Sequence, residues 1–404
     1  SRLEGAFPIC IRALQMCMHE TYMDCPYYEQ LMYVGDTRLE ILATYALTRD
    51  DRLPRKAIEM FGESRLTRGL TRSSYPDWQD QIIPPFSLWW VCMLHDYSLW
   101  RDDLEFVRKH LPGARGVLDH FWNCIAKDGK EAGLLRCPEG WPFTDWTTAG
   151  WVFGIPPDAY RGFSGIINWH LVYTLERAAE LEDAAGEPEL AKLNRRRAAT
   201  LAKAVDAAFW NEDSGLYADE LSHERYSEHA QCLALLSGHM PQEKISKVKD
   251  GLFSNERLAR TTIYFMHYLF EACRTLKCTV RIFDLLGLWF GLKANGFRTT
   301  PEAPEPSRSD CHAWGAHPFY HAFATLAGVR PAAPGFSQVI IEPQPAHLGQ
   351  IRLELPHPKG TIRLNLAFSS GKAKGSISLP AGVGGVFRFG GREVELAGGR
   401  EISL

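Results

Sequence analysis

The stretch GLLRCPEGWPFTDW, residues 133–146, opens as a helix ends, with a Gly and an apolar residue, and then crowds Glu139, Trp141, Phe143, Asp145 and Trp146 together. Three other stretches share this design: GLTRSSYPDWQD (69–80), GLYADELSHERYSEH (215–229) and GFRTTPEAPEPSRSDCHAW (296–314). Any one of them alone reads as a polar loop after a helix-ending Gly. Together they recur at intervals of 64, 82 and 81 residues (133−69, 215−133, 296−215), which is room for two helices and their connections. Successive helical hairpins would therefore present these loops at one end of a closed ring, an (α/α)6 barrel with a funnel.

The surrounding pattern agrees. From about residue 8 to residue 328 the chain is helical almost throughout, with roughly a dozen helices. Leu39, Leu42, Ala43 and Ala46 fall at i, i+3, i+4 and i+7 after Asp36, which can cap that helix, and Val117, Leu118, Phe121, Trp122 and Ile125 repeat the spacing. Further helices are expected at 84–100, 165–183, 188–209, 228–237, 257–276, 281–294 and 313–327. After GVRPAAPGF (328–336) the period changes to alternation. IRLEL (351–355) and TIRLNLAF (361–368) read as half-buried strands, followed by GSISLP, VFRF, EVEL and EISL between Gly-rich turns. The expected architecture is mainly α: an (α/α)6-barrel domain over residues 1–333 and a small antiparallel β-sandwich over 334–404.

Composition narrows the partners. A formal charge of −3 over 404 residues leaves no basic footprint for nucleic acid. No run of 18 apolar residues could span a membrane. The ten cysteines are scattered without a C-x-x-C pair, and no N-x-S/T sequon occurs, which favours free buried thiols and a cytoplasmic setting. The abrupt start, without an initiating Met, leaves room for upstream sequence. The 12 Trp, 14 Tyr and 21 Phe supply surfaces on which sugar rings can stack, besides filling the core.

Carboxylates then suggest the chemistry. Glycoside hydrolysis needs two of them across the scissile bond, one protonated and one ionised. DCPYYEQLMYVGD (24–36) offers Asp24, Glu29 and Asp36, with Pro26 forcing an extended approach to them. Close carboxylates raise one another's pKa, and Tyr27, Tyr28 and Tyr33 can displace water, so Glu29 is the group expected to hold a proton. A helix cap is the structural alternative for Asp24 or Asp36. Trp78 and Asp80, and Asp145 with Trp146, sit in barrel-end loops where Trp can lie on a sugar face and Asp can accept hydroxyl hydrogen bonds. Trp89, Trp90 and Trp122 follow helical periodicity and are left to packing.

MDCPYYEQLMYVGDTRLEILATYAL (23–47), with QIIPPFSLWWVCMLHDY (81–97) and SRSDCHAWGAHP (307–318), resembles the catalytic domain of the bacterial α-L-rhamnosidases, over residues 8 to 330. That resemblance implies an inverting hydrolase of terminal α-L-rhamnosides that needs no cofactor. It makes Glu29 the general acid, Asp24 and Asp36 its tuning and hydroxyl-binding neighbours, and Tyr33 a replacement for a Trp. Glu302 becomes the base that activates water, with Glu305 and Asp310 as nearby alternatives, and His312 a donor to the sugar. Relatives carry β-domains ahead of the barrel that are not seen here, so a truncated or divided form is expected.

No metal is expected. His312, His317 and His321 imitate a cluster, but no H-E-x-x-H is present and Pro318 interrupts the last pair. Two rivals remain: a different (α/α)6 glycosidase, which should lack the Asp-Cys-Pro pattern, and a carbohydrate-binding protein, which needs the aromatic funnel without opposed carboxylates.

Overall fold

The computed structural model describes residues 2–67, 69–147 and 150–404. Its helices are α1 (Arg2–Met16), α2 (Val34–Leu47), α3 (Arg52–Glu63), α4 (Pro84–Trp100), α5 (Leu104–Asn123), α6 (Gly165–Ala185), α7 (Pro188–Phe209), α8 (Glu228–Leu236), α9 (Gln242–Ser254), α10 (Met266–Thr275), α11 (Val280–Leu285), α12 (Gly287–Leu292) and α13 (His317–His321). The even-numbered helices α2 to α10 form an inner wall: α2 packs on α4, α4 on α6, α6 on α8 and α8 on α10. Then α10 packs on α13 and α13 returns to α2, which closes the ring. Outside it, α3 covers α2 and α4, α5 covers α4 and α6, α7 covers α6, and α9 covers α8.

Burial explains who lies where. In α2 every residue from Val34 to Ala46 is buried, as expected for a helix enclosed on all sides, and α4 is buried along nearly its whole length. The outer α3 instead buries Pro54, Ala57, Ile58 and Phe61, a single stripe at i, i+3, i+4 and i+7. Among the described residues no helix is long and apolar enough to cross a membrane.

Three helices differ from expectation for local reasons. The helix expected at 257–276 begins only at Met266, because Glu228 Oε2 accepts the Thr261 N–H and Asp145 Oδ2 accepts the Thr262 N–H, so this stretch bonds to side chains rather than to itself. The segment 281–294 is two short helices broken at Leu286, and 313–327 is a tight turn (Ala313–Ala316), α13 and a wide turn (Ala322–Leu326). Asp36 does not cap α2: Tyr33 precedes its first residue, no side chain caps it, and Asp36 lies within the first turn.

A two-strand ribbon, β1 (Trp210–Asn211) with β2 (Leu216–Tyr217), links α7 towards α8. The C-terminal strands are β3 (Val329–Pro331), β4 (Gln338–Ile341), β5 (Gln350–His357), β6 (Gly360–Ser369), β7 (Lys372–Ser378), β8 (Gly384–Phe389), β9 (Arg392–Ala397) and β10 (Glu401–Ser403). They make two four-stranded sheets, β10-β7-β6-β5 and β3-β4-β8-β9. The first is antiparallel; the second is mixed, since β4 and β8 run parallel, which corrects the all-antiparallel expectation. Strand β3 precedes residue 334 and pairs with β4, which alternation over so few residues did not reveal. In β6 the expected face, Ile362, Leu364 and Leu366, is buried. The sandwich meets the barrel where Phe336 packs edge-on against Trp100, 5.1 Å between ring centroids.

Candidate active site

The N-terminal ends of the inner helices and the loops that lead into them surround one cavity. Its first wall is the segment before α2. Asp24 N–H donates to the Leu31 carbonyl (2.8 Å) and Leu31 N–H returns to Asp24 Oδ1 (2.9 Å), which closes a loop with Glu29 on it. Cys25 Sγ donates to Asp24 Oδ2 at 3.0 Å. Tyr33 then bridges to Ser74 and the chain enters α2. Gly35 lets α2 press close: a Cβ there would stand 2.5 Å from the Phe86 ring and 2.7 Å from Tyr264 Oη.

The second wall is the segment before α13. His312 N–H donates to Thr300 O (2.7 Å) and Glu302 N–H to Ser309 O (2.9 Å), so this loop folds back on itself. Trp314 Nε1 donates to the Glu302 carbonyl at 2.9 Å, which fixes the backbone of that acid. Ala313 N–H donates to Asp24 O (3.3 Å), and His312 Nε2 shares a hydrogen bond with Asp36 Oδ1 (2.9 Å), so the two walls are joined. Arg308 reaches across, pairing with Glu29 and standing 3.6 Å from Glu302, with its guanidinium over the Tyr28 ring. Glu29 and Glu302 thus flank one space.

That cavity opens to solvent through its mouth. Its polar lining is Asp24, Glu29, Asp36, Glu302 and His312, with the Tyr33 phenol. Phe86, Trp141, Phe143, Trp146 and Trp314 supply its aromatic lining. Phe143 packs edge-on against both Phe86 (5.9 Å) and Trp146 (4.9 Å), and Trp314 stacks on Tyr264 (4.8 Å). A wider vestibule opens outward from Glu29, Tyr33, Trp141, Trp146, Glu302 and Arg308.

Burial sets the electrostatics. It raises the pKa of Asp24, and that of Asp36 well above the ordinary carboxylate value. It also raises Glu302, against the opposing pull of His312 and Arg308. Burial lowers His312, so its imidazole is neutral near pH 7, and its buried Nδ1 has no protein partner. Tyr33 is pushed upward by burial and then by the Glu29 charge, which keeps its phenol protonated. One turn below Asp36, Glu40 is fully buried with both carboxyl oxygens unpartnered, and burial raises it strongly.

Of the residues singled out in sequence, the cavity gathers Asp24, Glu29, Tyr33, Asp36, Trp146, Glu302 and His312. Trp78 and Asp80 do not line it: Trp78 is 88% exposed and Asp80 pairs with Arg72. Asp145 is sealed in the interior, where it accepts from His229 Nε2 (2.8 Å), Trp146 N (2.9 Å), Thr262 N (2.7 Å) and Thr262 Oγ1. It is a clamp between loops, with no lone pair facing the cavity. Glu305 lines only the vestibule and accepts from Ser307 N–H, while the Asp310 side chain lines neither space. Sequence reasoning missed Trp141, Phe143 and Trp314, which share stretches with residues it chose, and Phe86 and Arg308, which carried no signal of their own.

Among the described residues, two groups bring possible metal-ligating atoms within 4.8 Å of one another: Asp24, Cys25 and His312 at the cavity, and His267, His317 and His321 in the interior. Both are bound into the protein's own hydrogen bonds. His321 Nε2 meets His267 Nδ1 at 3.0 Å, its Nδ1 meets Thr325 Oγ1, and His317 Nε2 donates to Ile263 O. His312 belongs with Asp36, not with His317 and His321.

The model of the bacterial alpha-L-rhamnosidase 6 hairpin glycosidase domain matches residues 1–264, and that of the bacterial alpha-L-rhamnosidase C-terminal domain matches residues 328–392. Among solved structures, the GH78 family rhamnosidase of Bacillus sp. GL1 is 25% identical with a TM-score of 0.83, over 96% of this chain and 42% of that one. A rhamnosidase from Klebsiella oxytoca with rhamnose bound is 24% identical with a TM-score of 0.69, over 81% and 64%. The Streptomyces avermitilis alpha-L-rhamnosidase complexed with L-rhamnose is 16% identical with a TM-score of 0.77, over 96% and 37%, a likeness of fold. The chain thus spans less than two thirds of the length of these proteins. No curated protein matches it in sequence. A closed ring of helical hairpins, a carboxylate-lined cavity at its loop end, and a family domain matched over 264 of 404 residues lead to one conclusion: this chain belongs to the bacterial α-L-rhamnosidase family.

Proposed function

We propose that this chain hydrolyses terminal α-L-rhamnosides with inversion, Glu29 acting as general acid and Glu302 as general base. The observation that carries the reading is that Glu29 and Glu302, brought in by two different segments of the chain, line one cavity together with aromatic side chains. Glu29 gives its proton to the departing glycosidic oxygen as that bond lengthens. Glu302 takes a proton from water as its oxygen attacks the anomeric carbon from the opposite face. Burial raises Glu302, which makes its ionised form a stronger base.

The remaining lining divides the work of binding. The indoles of Trp146 and Trp141 present flat apolar faces to the C–H side and methyl group of the sugar. Asp24, Asp36 and His312 present hydrogen-bonding groups to its hydroxyls. The vestibule would take the aglycone, leaving by way of Arg308. Substrate is a rhamnoside by the same argument from family, since two of the matched structures are described with rhamnose bound.

The test is to follow the first anomer released from p-nitrophenyl α-L-rhamnoside by proton NMR. The β anomer appearing first supports this reading. The α anomer appearing first replaces it with a covalent, retaining route, and absence of turnover rejects the activity.

A further inference from the structure

We infer that the far end of the barrel carries a second ligand site, which takes a phosphate-type oxyanion on arginine side chains. The carboxylate-lined cavity lies at the N-terminal ends of the inner helices. A separate cavity lies towards their other ends, and the two share no lining residue. Four guanidiniums reach it from four elements: Arg38 from α2, Arg177 from α6, Arg274 from the end of α10 and Arg330 from β3. Against them the lining holds two carboxylates, Asp96 of α4 and Glu271 of α10.

Those acids are already committed. Asp96 Oδ2 accepts Arg38 Nε–H (2.9 Å), and its Oδ1 accepts Arg38 Nη2–H (3.4 Å). Glu271 accepts Arg274 Nε–H through one oxygen (3.2 Å) and Arg330 Nη2–H through the other. Outside the lining, Glu180 serves both Arg177 (3.0 Å) and His95 Nε2 (2.6 Å). Donors are left over. A guanidinium has five N–H groups, yet among the described residues Arg274 meets an acceptor through Nε alone, and the buried Arg177 Nε has no protein partner. His95 also lines the cavity and is only 4% exposed; its Nδ1 has no partner, because Asp96 Oδ1 stands 3.9 Å away. Tyr268 and Tyr173 accept from Arg38 Nη1 and Nη2 (3.3 Å each), which leaves each phenol its own O–H to give.

Like charges are crowded here as well: the Arg330 guanidinium, and then burial, hold Arg274 below the ordinary arginine pKa. An anion between them relieves that repulsion. Hydrogen bonds with an ionised partner are about twice as strong as neutral ones, and the guanidinium fork matches phosphate geometry. The donors approach from several elements, so a tetrahedral oxyanion can accept them from several sides, whereas a planar carboxylate fills one fork. Bound there, the anion would tie α6 and α10 to β3, the first strand of the C-terminal sheets.

The experiment is isothermal titration calorimetry of the whole chain with inorganic phosphate, in a phosphate-free buffer at fixed ionic strength. The expected result is one saturable site with Kd below about 1 mM. Arg274→Gln and Arg177→Gln should each weaken it at least ~10-fold, the loss of a charged hydrogen bond. Both side chains are partly exposed, at 32% and 27%, so two independent variants are at hand should either fail to fold by circular dichroism. Arg308→Gln, at the other cavity, should bind phosphate like the parent. No saturation by about 10 mM phosphate overturns the proposal, as does unchanged binding in folded Arg274→Gln or Arg177→Gln, or a loss confined to Arg308→Gln. If folded Arg274→Gln loses affinity for L-rhamnose and not for phosphate, the cavity is a sugar site and the proposal falls. Binding is read without turnover, so a chain inactive on rhamnosides that still binds phosphate at Arg274 would reject the activity and leave this site standing.

Discussion

Glu29→Gln should lower kcat on rhamnosides by about 10²- to 10⁴-fold, the contribution of a positioned general acid. That is about 3–5 kcal/mol of transition-state stabilisation. The structure separates this from damage to the fold. The bond lost with the charge is the Arg308 pair, whose side chains are 50% and 27% exposed, so it contributes about 1 kcal/mol or less to stability. For a chain of this size that moves Tm by no more than about 3 °C. Gln is isosteric and keeps the cavity's shape, so KM should change little. The assay is kcat on two rhamnosides, one with p-nitrophenol and one with an alkyl alcohol as leaving group. A nitrophenolate departs without a proton and an alkoxide does not, so the loss should sit at the low end for the first and the high end for the second. Equal losses on both, or none, would refute the assignment of Glu29 as proton donor.

Glu302→Gln should be nearly inactive towards water yet partly restored by azide, which needs no base, with a rhamnosyl azide of inverted configuration as product by NMR; azide without effect would count against Glu302. Burial holds Glu40 neutral in the fold well above its ordinary 4.5, so folding takes up a proton: stability is full below about pH 4.5 and falls by about 1.4 kcal/mol per pH unit as pH rises towards the folded value. Glu40→Gln removes that fall, so in urea denaturation its stability relative to the parent should grow with pH across this window, and parallel curves would refute it. Asp145→Asn leaves His229 and Thr262 facing an amide that cannot accept all their bonds, a cost of about 3–5 kcal/mol in urea denaturation, with kcat of the folded protein unchanged because Asp145 does not line the cavity.

Much of this was written locally in the chain. The Gly-led loops mark hairpin ends because a helix stop is a local event, and Asp24, Glu29 and Asp36 lie within one stretch, so their meeting needed no knowledge of the tertiary fold. What stayed hidden depends on remote partners. The late start of α10 is set in part by Asp145, 117 residues away from Thr262. Phe86 and Phe143 look like any core aromatics until the ring closes and leaves them facing a cavity. Asp145 has the same residue type and loop position as a sugar ligand, and only His229 arriving above it reveals a clamp. Trp78 differs from Trp146 in which way its loop faces, and the parallel β4–β8 pair depends on a crossover that no alternation records.

The ring's closure has a consequence in time. Arg308 meets Glu29 across 279 residues of chain, so the first half of the proposed catalytic pair is synthesised long before the second. At roughly 5–20 residues per second, that interval is on the order of tens of seconds. Throughout it, the emerging polypeptide holds a buried-acid motif with no opposite bank, and the seat for Asp36 and Asp24 stays open until α13 docks on α2. Catalytic competence should therefore arrive in a single step at the end of barrel assembly, with no partly active precursor before it.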